Sequence, residues 1–175
     1  MSLKLAVLGL LDLEPGSGYA LLQRFRSSLG FFWQTTHQQL YKELHGLHEQ
    51  GLVDCETVSQ ESRPDKKVYS LSARGADELD ALLAKAASPT KIRDPLLVKI
   101  FCGRRLQPEA LRAEVESHRL EHEKTLQLYR VLYEQMGKLP AAVRQRYHHP
   151  LLTLKLGIRF EETWLAWCDE VMGEL

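Results

Sequence analysis

Side chains that donate hydrogen bonds recur along one face of the segment from Thr35 to Leu52. They are Thr36, His37, Gln38, Tyr41, Lys42 and His45. Helical spacing places them together near a helix N-terminus, where free backbone N–H groups also attract anions. Hydroxyl, amide, imidazole and ammonium groups of this kind bind phosphate oxygens and base edges, so the row is a candidate nucleic-acid surface. The polar face of an ordinary surface helix has a similar composition and is the alternative interpretation.

A second group of residues that could carry out chemistry is the string HRLEH at residues 118–122. Two histidines one helical turn apart can share a zinc ion, with the glutamate as a base and Glu161 or Glu162 as a further ligand. So short a string is common by chance, and both histidines fall on an apolar seam described below. No Ser-His-Asp arrangement, glycine-rich phosphate loop or pair of catalytic carboxylates accompanies it, so we predict no enzyme activity, metal or cofactor.

The helix that carries the donor row has a predicted start and end. Thr35 and Gln38 have the S/T-x-x-E/Q spacing of a capping box. Leu40, Leu44 and Leu47 mark the buried face, and Gly51 is typical of the left-handed residue that closes a helix. The spacing therefore predicts one amphipathic helix with a free polar side.

Composition limits the class of protein. The chain has 175 residues, 44% of them apolar, with 23 basic and 23 acidic side chains. The first 90 residues hold 9 Lys and Arg against 11 Asp and Glu, so any DNA contact must come from local patches. Three widely spaced cysteines indicate neither a disulfide framework nor a thiolate metal site and favour a reducing cytoplasm. We find no signal peptide or membrane span and predict a cytoplasmic protein.

The elements around the donor row have a recognisable order. Helices are predicted from residues 2 to 13 and 17 to 29, the second with Tyr19, Leu22, Phe25 and Leu29 on one side, and an aromatic connector at residues 31–33 leads to the third. Alternating residues at 53–57 and 67–71 then predict a β-hairpin, and Ser72 caps a fourth helix. This α-α-α-β-β-α order predicts a winged helix-turn-helix, with the third helix in the major groove. Phosphate contacts are expected from the hairpin tip, at Arg63, Lys66 and Lys67.

Several motifs of this half resemble the PadR family of bacterial transcription regulators. They are LGLL at 8–11, GY at 18–19, LY at 40–41, Leu44, Leu47, GLV at 51–53, Tyr69, and LS at 71–72 followed by Gly75. The resemblance implies a dimeric winged-helix protein in which residues equivalent to His37, Gln38, Tyr41, Lys42 and Lys66 touch DNA. It also implies release from DNA by a small aromatic or hydrophobic effector.

The second half of the chain is predicted to be an α-helical dimerisation domain. Asp94-Pro95 begins a short helix, Pro108 a long one that reaches about Met136, and Pro150 the last one, with His148-His149 in a loop. The half resembles the C-terminal domain of the virulence-activator-like branch of the same family. Coiled-coil spacing along the long helix and the apolar faces of the last helix predict packing within the subunit and across a two-fold dimer. The predicted dimer residues are Leu111, Val115, His118, His122, Thr125, Tyr129, Leu132, Leu165 and Met172.

Together these patterns predict a mainly α protein with a winged-helix DNA-binding domain at residues 1–88 and a dimerisation domain at 89–175. The expected function is that of a homodimeric repressor on a pseudo-palindromic operator. A candidate effector pocket is bordered by Trp33, Tyr129, Trp164 and Trp167, although aromatic side chains there also suit an ordinary core. Seam histidines meeting across the dimer would make it sensitive to acid. A winged-helix protein adaptor and a zinc hydrolase stay open as alternatives.

Overall fold

A computed structural model describes residues 3–30, 32–59, 65–89 and 91–175. The chain divides into two compact units, Met1–Ser88 and Pro89–Leu175, and each unit is described by itself. Two residues named in the predictions, Arg63 at the wing tip and Phe31 in the aromatic connector, lie outside the described residues.

The first unit has the predicted order of helices and strands, with one addition. Its elements are α1 (Leu3–Leu13), β1 (Gly16–Ser17), α2 (Gly18–Ser28), α3 (His37–Glu49), β2 (Val53–Val58), β3 (Lys66–Leu71) and α4 (Ala73–Leu83). The two-residue strand β1 was not predicted, because two residues are too few to show a β period. It pairs antiparallel with β3, with Gly16 opposite Tyr69, so the sheet order is β1-β3-β2. This arrangement is a winged helix-turn-helix.

The core of this unit lies where α1, α2 and α3 meet. Its fully buried side chains include Leu8, Leu21, Phe25 and Leu44. The prediction that Tyr19 shares the buried face of α2 is wrong, since Tyr19 is 65% exposed. Tyr19 lies six positions before Phe25, and at about 100° per residue its side chain points about 120° away from that of Phe25 around the helix.

The start of α3 is shifted by one residue from the predicted capping box. Thr36, not Thr35, is the N-cap: its hydroxyl accepts the Gln39 N–H at 3.2 Å, and the Gln39 side chain accepts the Thr36 N–H at 2.9 Å. Both spacings satisfy the same rule, and tertiary packing selects between them, with Thr35 Oγ1 buried and lacking a hydrogen-bond partner among the described residues. The shift leaves the Gln38 side chain outside the cap and exposed.

The end of α3 agrees with the prediction. Gly51 has a φ of 67°, a left-handed conformation in which an L side chain is strained. The Gly51 N–H donates to the His48 carbonyl and the Leu52 N–H to the Leu47 carbonyl, both at 2.9 Å. This pair of bonds is a Schellman motif, which satisfies the last carbonyls of the helix.

The second unit is helical. Its elements are α5 (Pro95–Phe101), a 3₁₀ turn at Gly103–Arg105, α6 (Pro108–Gly137), α7 (Ala141–Arg146) and α8 (His148–Glu174). Helices α6 and α8 run in opposite directions, because Arg112, early in α6, donates to the carbonyl of Met172, late in α8. His148 and His149 do not form the predicted loop but open α8. Pro150 is tolerated in this first turn, where its missing N–H has no helical partner anyway.

The apolar seam of α6 is largely filled from within the same chain. Leu111, Val115 and Tyr129 are at most 5% exposed, and Val115 packs with Trp164 and Cys168 of α8. These three side chains are buried within one chain, so contacts inside the subunit account for their apolar spacing, and their role in a dimer stays a prediction. Thr125, Leu132, Leu165 and Met172 are half-buried. No helix in the described part of the chain is long and apolar enough to cross a membrane.

Candidate DNA-binding interface

The first turns of α3 present most of the predicted donor row to solvent. His37, Gln38, Lys42 and His45 are exposed, while Tyr41 is half-buried. Thr36 is exposed as well, but its hydroxyl and N–H are engaged in the capping box. His45 Nε2 lies 3.7 Å from a carboxylate oxygen of Glu49. The row is thus a surface, with Gln38 and Lys42 as its least engaged members.

Tyr41 links α3 to α2. Its ring stacks on the His37 imidazole, with centroids 4.1 Å apart and planes 26° from parallel. On the side of α2, a Cβ built on Gly18 would lie 2.6 Å from Tyr41 Cζ, so only a glycine fits beneath this ring in its present position. Tyr41 is therefore partly a packing residue.

The wing adds two cations to the same region. Lys66 and Lys67 begin β3, are exposed, and line a cleft of about 910 Å³ together with Tyr41 and His45. Asp65 lies in the same cleft and offsets part of the positive charge. The structure therefore places two residues of the predicted α3 row, Tyr41 and His45, around one opening with the wing lysines.

Sequence reasoning missed the first turn of α2 as part of this cleft. Ser17, Gly18, Tyr19 and Ala20 line it. Ser17 Oγ caps α2 by accepting the Ala20 N–H at 3.3 Å. The signal that could have identified the turn is this capping serine, because it marks where a helix offers free N–H groups.

Contacts at the far end of α3 hold the helix in place. Nδ1 of His48 lies 3.0 Å from the carbonyl oxygen of Val53, at the start of β2. The Ser72 hydroxyl donates to the carbonyl of Gly51, and Arg74 donates to that of Gln50. These bonds tie α3, β2 and α4 together, so the exposed row stands on a rigid support.

Tyr69 lies at the floor of the cleft and is nearly buried. Burial first, then the neighbouring Cys55 and Tyr41, raises the pKa of its phenol above the ordinary 10.0. The phenol is therefore neutral at physiological pH and adds no negative charge facing a phosphate backbone.

The HRLEH string does not form a metal site. No group of three or more His, Cys, Asp or Glu side chains in the described ranges is arranged to hold a metal ion. The ring centroids of His118 and His122 are 6.5 Å apart, and His122 Nδ1 is occupied by Glu161 at 2.5 Å.

The four residues of the predicted effector pocket divide between the two units, Trp33 in the first and Tyr129, Trp164 and Trp167 in the second. Trp33 packs edge-on against Phe25 in the core of the first unit. Tyr129 is buried on α6, where burial and then the Glu161 carboxylate raise its pKa to about 12. Only Trp164 and Trp167 line an open groove, of about 440 Å³, in the second unit. The other residues lining this groove are Ile92, Leu97, Leu156, Arg159, Phe160 and Thr163.

Three helices, a hairpin, a fourth helix and an exposed N-terminal row on α3 define a winged-helix transcription regulator. A family model described as the transcriptional regulator PadR-like family matches residues 7–81, and one described as virulence activator alpha C-term matches residues 92–175. The chain is also 37% identical, over 186 aligned residues, to the probable transcriptional regulator Rv1176c of Mycobacterium tuberculosis, covering 100% of this chain and 98% of that protein. This chain belongs to the PadR family.

Bacillus subtilis PadR is a further similar protein, described as a negative transcriptional regulator. It is 36% identical over 100 residues, which span 57% of this chain and 55% of that protein. Its crystal structure in complex with operator DNA has a TM-score of 0.84 at 26% identity and covers 99% of this chain and 97% of that chain. Its complex with p-coumaric acid shares the fold, with a TM-score of 0.74 at 24% identity and coverage of 98% and 94%.

Proposed function

We propose that this protein is a homodimeric repressor that binds a pseudo-palindromic operator, with one α3 per half-site. The observation that carries the proposal is the cleft in which Tyr41 and His45 of α3 meet Lys66 and Lys67 of the wing. Similarity to a negative regulator that binds operator DNA supports it. In this arrangement α3 enters a major groove and the wing lies along the neighbouring backbone.

The exposed side chains divide by chemistry. Gln38 offers an amide that can bond both N6 and N7 of adenine, and His37 offers a ring donor or acceptor to a base edge. Lys42, Lys66 and Lys67 are flexible cations suited to phosphates, which set register without reading sequence. His45 belongs to the second group when its contact with Glu49 is released. Arg63 is assigned to the wing from sequence alone.

Apolar side chains exposed on the second unit support dimerisation through that unit. Phe101 is 90% exposed, and Val98 and Leu128 are each more than half exposed. Several large apolar side chains exposed on one unit favour an interaction site there. We assign it to a second copy of the chain, since a palindromic operator needs two recognition helices related by a two-fold axis. The first unit is then the DNA-binding domain and the second the dimerisation domain.

The groove beside Trp164 is the proposed effector site. Its walls are two indoles and the Phe160 ring, and Arg159 stands at its edge, a combination that suits a flat aromatic carboxylate. The p-coumaric acid complex of the Bacillus protein motivates the choice of probe. Calorimetric titration of p-coumaric acid into the wild type and Arg159→Gln tests the site, and equal binding by both proteins would remove Arg159 from it.

DNA selection tests the function directly. The full-length protein is incubated with a duplex library of random sequence, and bound DNA is amplified and read. We expect a two-fold symmetric sequence with half-sites one helical turn apart. Sedimentation equilibrium of the free protein should give a dimer. Enrichment of no sequence, or a monomer at all concentrations, would contradict the proposal.

A further inference from the structure

A contact between α2 and α3 passes through Gly18 and Tyr41. Gly18 is the first residue of α2 and is buried. A Cβ at this position would lie 2.6 Å from Cζ, 2.8 Å from Cε1 and 2.8 Å from Oη of Tyr41. Such distances are far below van der Waals contact, so any side chain here displaces the ring. The hydroxyl end of Tyr41 is thus directed at the first turn of α2.

The same ring also supports His37. The two side chains are four residues apart on α3, which places them one above the other on the helix surface. Their centroids are 4.1 Å apart and their planes differ by 26°, so the rings overlap. His37 is the first residue of α3 and is exposed, so no earlier turn of this helix can support its ring. Tyr41 supplies that support.

We propose that Gly18 and Tyr41 are positioning residues that hold the His37 imidazole in one orientation for reading a base pair. The inference rests on the DNA-binding function proposed above and adds a division of labour within it. His37 contacts the base, and the Tyr41 ring stacks against the His37 imidazole as a platform. Gly18 has no side chain and so leaves room for the Tyr41 ring. Tyr41 itself makes no base contact in this scheme.

Fixing the imidazole matters because of how it reads a base. A single ring nitrogen meets a single acceptor or donor on a base edge, and the angle of that bond decides whether it forms. A stacked imidazole has already lost most of its rotational freedom, so binding orders it at little further entropic cost. Without the platform, the same imidazole samples several orientations and discriminates less between bases.

The test uses DNA selection with the full chain and a series of variants. Wild type, His37→Ala, Tyr41→Leu, Tyr41→Phe and Gly18→Ala are each profiled on the random duplex library. Single-base variants of the best wild-type sequence are then measured by fluorescence anisotropy. Gly9→Ala is the matched glycine control, because no atom lies within 4 Å of a Cβ built there. Thermal melting by circular dichroism checks that each variant is folded.

We expect His37→Ala to lower discrimination about tenfold at one base pair of each half-site. Tyr41→Leu and Gly18→Ala should lose discrimination at that same base pair, whereas Tyr41→Phe, which keeps the ring, and Gly9→Ala should match the wild type. The double variant of His37→Ala with Tyr41→Leu should discriminate between base pairs as well as His37→Ala alone, because no imidazole is left for the Tyr41 ring to support.

Other outcomes overturn the inference. If Tyr41→Leu and Gly18→Ala weaken all sequences alike and leave the profile unchanged, Tyr41 has a purely structural role. Additive losses in the double variant would show that Tyr41 acts independently of His37. A wild type that enriches no sequence would contradict the proposed function, whereas a selective wild type with unaltered variants would contradict only the positioning role.

Discussion

Nδ1 of His122 lies 2.5 Å from Oε2 of Glu161, joining the middle of α6 to α8 within one chain. The His122 ring also stacks on Trp164, with centroids 4.7 Å apart and planes 10° from parallel. Glu161 is 4% exposed and His122 is half-buried, so the pair lies largely out of solvent between the two helices. Within one chain, the partner of His122 is therefore the Glu161 carboxylate, and a meeting of seam histidines across a dimer stays a prediction.

Removing one member of this pair should be costly. His122→Leu leaves the Glu161 carboxylate buried without its ring partner, and we expect the free energy of unfolding at neutral pH to fall by about 3 kcal/mol. Urea denaturation followed by circular dichroism measures the change. The double variant His122→Leu with Glu161→Met should recover much of the loss, since no charge is then left buried.

A matched control for this pair is an exposed one on the same helix. Lys124 Nζ lies 2.7 Å from Glu121 Oε1 and lowers the pKa of that carboxyl, but both side chains are in solvent. Lys124→Met should therefore leave the urea midpoint close to that of the wild type. Equal effects of His122→Leu and Lys124→Met would contradict the assignment of a buried pair.

Alkaline pH should destabilise the second unit through Tyr129. Burial, and next the Glu161 carboxylate, raise the pKa of Tyr129 from 10.0 to about 12. The unfolded chain ionises near pH 10 while the folded chain retains the proton, so the stabilisation is complete below pH 10 and declines from there to about pH 12. Urea midpoints measured across this range should fall more steeply for the wild type than for Tyr129→Phe. Parallel curves would show that Tyr129 does not contribute.

The wing should bind phosphate without reading sequence. Lys66→Met removes one cation from the cleft, so we expect weaker binding to every DNA sequence and a smaller salt dependence, with the slope of log K against log salt reduced by about 0.9. Fluorescence anisotropy over a series of salt concentrations gives the slope. Lys85→Met, an exposed lysine just after α4, is the control and should leave the slope unchanged. A changed base preference in Lys66→Met would contradict the phosphate role.

Gly75 allows α4 to approach the turn that follows α3. A Cβ on Gly75 would lie 2.0 Å from the carbonyl oxygen of Leu52, which is backbone and cannot swing aside. Gly75→Ala should therefore reduce the free energy of unfolding by about 2 kcal/mol, through overpacking. Gly9→Ala, with open space around it, should be neutral or slightly stabilising. Equal melting temperatures for the two variants would show that α4 adjusts freely.

Much of the fold could be predicted because its signals are local. Ser17, Ser72 and Asp94 each cap a helix as expected, and Gly51 takes the left-handed conformation that ends α3. A cap acts within one turn of its own helix, so a few neighbouring residues suffice to reveal it. The order of elements follows from these marks and from the apolar periods between them.

The candidate site was only partly predictable, because part of it depends on contacts between segments that are distant in the sequence. Sequence alone identified the exposed row from His37 to His45 and the wing lysines, because helix and strand spacing place them on one side. It did not identify Gly18, whose role depends on a tyrosine more than twenty residues away. Contacts between distant segments depend on how helices pack, and no local pattern encodes them.

The sequence by itself determined which residues form helices and strands, where most of them begin and end, and which side chains on α3 can donate hydrogen bonds. Only the tertiary structure decided that Thr36 rather than Thr35 caps α3, that Tyr41 stacks between α2 and His37, and that His122 pairs with Glu161. Local rules allow several partners for each of these groups. Packing selects one, because a buried polar atom or ring must find its contacts in the space that neighbouring helices leave.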